Sequence, residues 1–113
     1  MHIQEMPEPS RRILFLKGFK LDGVKIQRYG YHPTEEDPTN TRYYRRIISL
    51  IPRTAYKYIG AGVEENGDVC LVVVMEDGWD KEKLQNNDMP FCDGMLAQAA
   101  ERVMTAGVWP SWD

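Results

Sequence analysis

Cysteine, histidine and long apolar runs are all scarce in this chain of 113 residues. Its two cysteines, Cys70 and Cys92, cannot form the disulfide framework of a small secreted scaffold, so we expect two reduced thiols. The longest uninterrupted apolar run, residues 69–75, is far shorter than the roughly 20 residues of a membrane-spanning helix. No basic segment followed by an apolar one opens the chain. We therefore expect a cytoplasmic protein with no secretion signal and no membrane contact.

Motifs that carry enzyme chemistry are also missing. The sequence contains no glycine-rich phosphate loop, no Gly-x-Ser-x-Gly turn and no Cys-x-x-Cys pair. One of its two histidines, His2, lies in the proline-containing segment 1–10, which we expect to be a flexible lead-in to a single domain of residues 11–113. We expect no cofactor and no metal ion, and any histidine-dependent catalysis would rest on His32.

The polar loop that begins at His32 holds the strongest combination of residues for catalysis or metal binding. Glu35, Glu36 and Asp37 follow this histidine, and together they are hard and borderline ligands for a divalent ion. No second histidine lies nearby, and the spacing matches no established site, so a polar surface loop is the favoured interpretation. A small enzyme using His32 and a nearby carboxylate is the third functional hypothesis.

Two β-hairpins are predicted from turn residues between β-rich segments. Residues 12–19 and 24–31 flank Asp22-Gly23, a dipeptide typical of two-residue hairpin turns. A second hairpin is predicted with Asn66-Gly67 as its loop, and its second strand is apolar on both faces and should be central. This loop pairs Val63 with Cys70, Ala61 with Val72, Ile59 with Val74 and Lys57 with Glu76.

Gly60 and Gly62 lie on one face of the first strand of the second hairpin. Because they have no side chains, a helix or a ligand could approach the backbone closely at this face.

Helical periodicity begins after the polar loop. Residues 41–51 carry an apolar stripe with the spacing i, i+3, i+4, i+7, formed by Tyr44, Ile47, Ile48 and Ile51. Asn40 or Thr41 can cap this helix, and Pro52 ends it.

Two further helical segments follow the second hairpin. Asp80 can cap a short polar helix, and Asp88 can cap a longer one whose apolar stripe reaches Ala106 and which Gly107 ends. The element order is therefore β-β-α-β-β-(α)-α. This order predicts an α+β fold, an antiparallel sheet of about four strands in two hairpins with helices packed on it.

Positive and negative charges are concentrated in different halves of the chain. Residues 11–57 contain eleven Lys or Arg and four acids, whereas residues 58–113 contain three Lys or Arg and eleven acids. Tyrosines interleave with the basic residues of one segment. The candidate residues for binding an anion or a partner are Arg42, Arg45, Arg46, Arg53, Lys57 and Tyr43.

Two interpretations of this basic segment stay open. Its arginines could bind a nucleic acid, a nucleotide or an acidic protein, or they could pair with the acidic half of the same chain. Burial of the apolar stripe must expose Arg42, Arg45 and Arg46 in either case, because they lie on another face of the helix. The acidic isoelectric point of about 5.4 weighs against a nucleic-acid partner.

The acidic half contains a second candidate surface. Its residues are Glu76, Asp77, Asp80, Glu82, Asp88 and Asp93. These carboxylates could bind a basic partner, or they could serve solubility and helix capping.

The sequence favours a small non-catalytic protein that acts by stoichiometric contact with another protein. Its size and acidity fit a regulator, an inhibitor or an accessory factor, such as one encoded by a phage or mobile element. A nucleic-acid or nucleotide binder using segment 42–57 is the alternative. We also expect a homodimer, because each subunit can cover the other's opposite charge and Trp109 and Trp112 could serve as apolar anchors.

Overall fold

In the part of the chain that the structure describes, a four-stranded antiparallel sheet with four α-helices confirms the α+β fold. The computed structural model describes residues 12–28, 30, 32–38, 41–90 and 94–112, so the predicted lead-in lies outside the described residues. The strands are β1 (Phe15–Leu21), β2 (Tyr58–Val63), β3 (Val69–Gly78) and β4 (Met104–Pro110), in the sheet order β2-β3-β1-β4. The helices are α1 (Gly23–Arg28), α2 (Thr41–Leu50), α3 (Lys81–Asn86) and α4 (Gly94–Val103), with a 3-10 helix at Arg53–Ala55.

The first predicted hairpin is wrong, because Asp22 caps a helix instead of entering a turn. Its Oδ1 accepts hydrogen bonds from Val24 N at 2.9 Å and Lys25 N at 3.3 Å, and its Oδ2 accepts one from Thr105 Oγ1 at 2.6 Å. Asp followed by Gly suits a helix N-terminus as well as a hairpin. In the helix, Ile26 is completely buried among the other core residues. The same residues in a hairpin strand would not carry Ile26 into this core.

The second hairpin has the predicted strands but a register that differs by one residue. Val63 pairs with Val69 instead of Cys70. Gly67 N donates to Glu64 O, and Glu64 N donates to Asp68 O, both at 2.8 Å. Gly67 has a φ of +90°, so the loop has three residues and ends on a left-handed glycine. This additional loop residue shifts every pair of β2 and β3 by one position.

The fourth strand of the sheet lies where the sequence analysis predicted the end of a helix. α4 ends at Val103, and the chain continues directly into β4, which pairs with β1 from Met104 opposite Leu21 to Pro110 opposite Phe15. Gly107 therefore lies inside a strand. The spacing from Val103 to Ala106 fits a helix, but Met104, Ala106, Val108 and Pro110 also alternate as one face of a strand.

Each face of the sheet has its own apolar core. The helix-covered face is packed by Phe19, Leu21, Ile26, Ile47, Ile51, Val73, Leu96, Val103 and Met104. The opposite face is packed by Leu16, Cys70, Val72 and Val74, with Leu14, Tyr58 and Trp109 against them. Because its residues enter both cores, β3 is central, as predicted.

The sheet curls until its two edge strands meet. Beyond β4, Ser111 forms an antiparallel bridge with Gly62 of β2, and Trp112 N donates to Ala61 O at 2.8 Å. A Cβ at Gly62 would lie 3.1 Å from the Cβ of Trp109. The close approach predicted at the glycines of β2 is thus made by side chains of this same sheet.

Lys17 joins the sheet to α3 and is almost completely buried, with 4% of its surface exposed. Its Nζ donates to Leu84 O at 2.7 Å and to Asp88 O at 3.2 Å, and it also contacts Asn87 O. These carbonyls lie at the C-terminal end of α3, where the helix dipole favours a cation. The ammonium group therefore fixes a short helix that could not be stable alone.

Gly18→Ala should destabilise the fold strongly, because β3 has a bulge at Met75 opposite this position and the new Cβ would lie 2.0 Å from Val73 O. We expect the free energy of unfolding to fall by about 2–4 kcal/mol in a urea titration followed by circular dichroism. Gly94→Ala is the control, since a Cβ there meets nothing within 4 Å and helix propensity favours alanine. Equal stability of Gly18→Ala and the wild type would contradict the close backbone approach.

Candidate functional site

The arginine face of α2 is exposed, as the helical repeat requires. Arg42, Arg45 and Arg46 face solvent, while Ile47 and Ile51 are buried in the helix-covered core. Among the described residues, no acid is ion-paired with any of these three arginines. The described contacts therefore give no support to internal pairing of this face with the acidic half.

The other two basic residues of the predicted set are engaged within the fold. The Arg53 guanidinium lies 5.0 Å from the centre of the Tyr56 ring, and its Nη1 donates to Tyr56 O at 2.9 Å. Lys57 Nζ forms an ion pair with Asp77 Oδ1 at 2.6 Å. The basic segment 42–57 is thus divided into two cations with partners of their own and three arginines on one helix that pair with no described acid.

Asp77 connects the predicted basic and acidic sets in one small cluster. Besides the ion pair with Lys57, its Oδ2 accepts a hydrogen bond from Tyr58 Oη at 2.5 Å. The hydrogen bonds from Lys57 and Tyr58 hold the pKa of Asp77 below its usual range. Burial and the bond to Asp77 raise the pKa of Tyr58 to about 12. A tyrosine held neutral in this way is a hydrogen-bond donor that fastens β2 to β3, not a base.

The other acids of the predicted set lie in different elements of the fold. Asp80 Oδ1 accepts a hydrogen bond from Lys83 N at 3.1 Å and so caps α3 as predicted. Glu82 follows in the first turn of α3, where the helix dipole favours an acid. Glu76 lies opposite the buried Lys17 in the sheet register. Asp88 is exposed, and Asp93 lies outside the described residues.

Most of the described residues in the loop that begins at His32 are exposed. His32, Glu35 and Glu36 are exposed, and Asp37 Oδ2 accepts a hydrogen bond from Arg42 N at 3.0 Å near the start of α2. Asn40, one of the two predicted caps, lies outside the described residues. Within the described ranges, no group of three or more His, Cys, Asp or Glu side chains could hold a metal ion.

The described cysteine is buried and poorly suited to nucleophilic chemistry. Cys70 has a free thiol that packs against Val72 and Leu16. Burial raises the pKa of this thiol, which disfavours the reactive thiolate. Cys92 lies outside the described residues.

A small groove between α2 and α4 lies beside the arginine face and was not predicted from the sequence. Its volume is about 180 Å³, and its lining residues are Tyr43, Ile47, Leu50, Ile51, Gln98, Ala99, Arg102 and Val103. Leu50 is 61% exposed although it is a large apolar residue. The one signal in the sequence was this leucine, because it falls outside the buried stripe of its helix. We call this feature the α2–α4 groove.

Arginines flank the α2–α4 groove on both sides. Residues four apart are neighbours on a helix surface, so Arg46 lies beside Leu50, and Arg42 lies beside Arg46. Arg102 lines the groove from α4. The groove therefore combines an apolar floor with positive charge at its rim, a combination that can hold an apolar side chain next to carboxylates.

Comparison with family models, with curated proteins and with solved structures yields no match to this chain. In the described part of the chain, no helix has both the length and the apolar composition that crossing a bilayer requires.

Asp77→Asn should remove a pH-dependent part of the stability. An acid whose pKa is lower in the folded state stabilises the fold above its unfolded value, about 3.9 for Asp, and this contribution disappears as the pH falls through the folded pKa. The variant should therefore be less stable by about 1–2 kcal/mol at pH 7, and the difference should shrink below about pH 4.

Urea titrations of both proteins across this pH range provide the measurement. Glu65→Gln, which removes an exposed carboxylate from the hairpin loop, controls for net charge. A wild-type advantage that stays constant from neutral to acidic pH would show that the Asp77 carboxylate is not held in this cluster.

Proposed function

We propose that this protein is a non-catalytic regulator or inhibitor that binds an acidic segment of another protein in the α2–α4 groove. The observation that carries the proposal is the exposed arginine face of α2, whose arginines form no ion pair with any described acid, beside an apolar groove. Grooves between helices bind protein segments by accepting one or two apolar side chains. Leu50 and Tyr43 supply that apolar contact here, and the neighbouring arginines favour a partner with carboxylates around its anchor.

In this proposal the arginines determine which partners bind, and the apolar groove supplies most of the binding affinity. Exposed charges contribute mainly to the association rate and to rejection of partners with the wrong charge. Guanidinium groups bind carboxylates in bidentate geometry, which gives the rim directional preference as well as charge. Binding should therefore require both an apolar anchor and acids in the same segment. A cytoplasmic site of action is part of the proposal, and the free thiol of Cys70 fits a reducing compartment.

A nucleic acid or nucleotide is the second candidate partner. Arg42, Arg45, Arg46 and Tyr43 would suit phosphates and bases. This candidate is less well supported, because Arg53 and Lys57 already have partners in the fold. The other cations of segment 42–57 are the three arginines of α2, and they lie on a single helix. The chain as a whole is acidic.

Short peptides with an aromatic or leucine anchor flanked by Asp and Glu should bind, and versions flanked by Lys and Arg should not. Fluorescence anisotropy at low and high salt, with single-stranded DNA, RNA and nucleotides as further ligands, provides the measurement. Leu50→Asp should weaken peptide binding at least about tenfold, and so should the triple change of Arg42, Arg45 and Arg46 to Ala. The melting temperature of the triple variant should stay close to that of the wild type, since these arginines form no ion pair with any acid that the structure describes.

Two matched controls separate the groove from general surface effects. Val24→Asp changes another exposed apolar residue, 62% exposed on α1, and Arg28→Ala removes an exposed arginine from the same helix. Both should bind the acidic peptides like the wild type. Equal binding of acidic and basic peptides, or binding unaffected by Leu50→Asp, would refute the proposal. Salt-sensitive binding of nucleic acid alone would favour the second candidate.

A further inference from the structure

A second apolar surface lies at the N-terminal end of α3 and shares no residue with the α2–α4 groove. It is an open concavity of about 660 Å³ lined by Arg12, Ile13, Phe15, Trp79, Asp80, Lys81 and Glu82. Ile13 is 56% exposed and Trp79 is 54% exposed. Neighbouring exposed apolar side chains of this size, surrounded by charged residues, are typical of protein contact sites. We call this surface the Trp79 patch.

The charges around the Trp79 patch are balanced, with Arg12 and Lys81 against Asp80 and Glu82. A two-fold contact places a surface against a copy of itself, so each charge must find its complement within the same patch. The Trp79 patch meets this requirement. The α2–α4 groove does not, because the one charged residue in its described lining is Arg102.

Two of the four charges in the patch already have contacts within the chain. Asp80 accepts a hydrogen bond from Lys83 N, and the Lys81 ammonium lies 5.9 Å from the centre of the Phe15 ring. In the described part of the chain, the side chains of Arg12 and Glu82 form no ion pair and no hydrogen bond. They are therefore the opposite charges that a second copy could neutralise.

We propose that two copies of this chain associate about a two-fold axis through the Trp79 patch. Trp79 and Ile13 of each copy form the centre of the contact, and Arg12 of each copy faces Glu82 of the other. Aromatic anchors at the centre of an interface contribute a large share of its binding energy, and rim charges fix its orientation. A stable interface covers about 800 Å² per partner. Two half-exposed apolar side chains supply only part of such an area, so the dimer should dissociate on dilution.

This interface differs from the one that the sequence suggested. Trp109 packs against the core formed by Leu16, Cys70, Val72 and Val74, so it is not free to act as an anchor. Trp112 is 63% exposed, but it follows the bridge between Ser111 and Gly62 and does not line the Trp79 patch. Trp112 is therefore a matched control, an exposed tryptophan outside the proposed contact.

Sedimentation velocity over a wide range of concentrations tests the anchor. The wild type should shift from a 13.1 kDa species towards twice that mass as its concentration rises. Trp79→Ala should weaken this association at least about tenfold, whereas Trp112→Ala should leave it unchanged. Circular dichroism should give the same folded spectrum for all three proteins. A wild type that stays at 13.1 kDa at every concentration, or one whose association is lost in Trp112→Ala but kept in Trp79→Ala, would overturn the proposal.

Charge reversal tests the two-fold geometry independently of the tryptophan. Arg12→Glu and Glu82→Arg should each weaken self-association, because each creates two like-charge contacts across the axis. An equimolar mixture of the two variants should associate again, since both contacts then join opposite charges. Failure of the mixture to recover would refute the pairing of Arg12 with Glu82. Because none of these variants touches the α2–α4 groove, peptide binding reports on the groove separately.

Discussion

The burial of β3 on both faces is the constraint on which the rest of this fold depends. Val72 and Val74 pack into one core and Val73 packs into the other, and each is at most 1% exposed. In a strand buried on both faces, the side chains need cover on each face. Its backbone N–H and C=O groups need hydrogen-bond partners along each edge, which neighbouring strands provide. β1 and β2 supply the edges, and the helices cover one face. The other face is closed by curling of the sheet, which brings Trp109 over the core and joins the end of β4 to β2.

The sequence predicted those elements whose buried residues and caps are set by the residue pattern of a single segment. The apolar stripe of α2, the two-sided β3 and the Asp80 cap of α3 all appear in the structure. The errors fall where one short sequence suits two structures. Asp22-Gly23 fits a helix cap and a hairpin turn equally well locally, and the choice between them depends on where Ile26 can be buried. The segment after Val103 fits a helix stripe and a strand face, and the choice depends on the free edge of β1, which no local pattern reveals.

In the candidate site, too, the features set by one segment could be predicted, whereas contacts between distant segments could not. Exposure of Arg42, Arg45 and Arg46 followed from the helical repeat of one segment and could be predicted. The ion pair of Lys57 with Asp77 depended on a hairpin register that a single additional loop residue changes. The α2–α4 groove could not be predicted, because its two walls are about fifty residues apart in the sequence and meet only when α4 packs beside α2. Leu50 was visible as an apolar residue outside its stripe, but its neighbours across the groove were not.

The two proposed contact surfaces differ in what their charges permit, and this difference makes them compatible. A rim of one sign suits a partner of the opposite sign and repels its own copy, whereas a balanced rim suits a two-fold contact. A dimer formed through the Trp79 patch would therefore leave both α2–α4 grooves open, because the two surfaces share no residue. Two grooves fixed in one particle would raise the effective concentration of the second site for a partner with two acidic segments. A groove of only about 180 Å³ offers little apolar area, so such bivalency would give a small binding site an affinity that one groove alone could not reach.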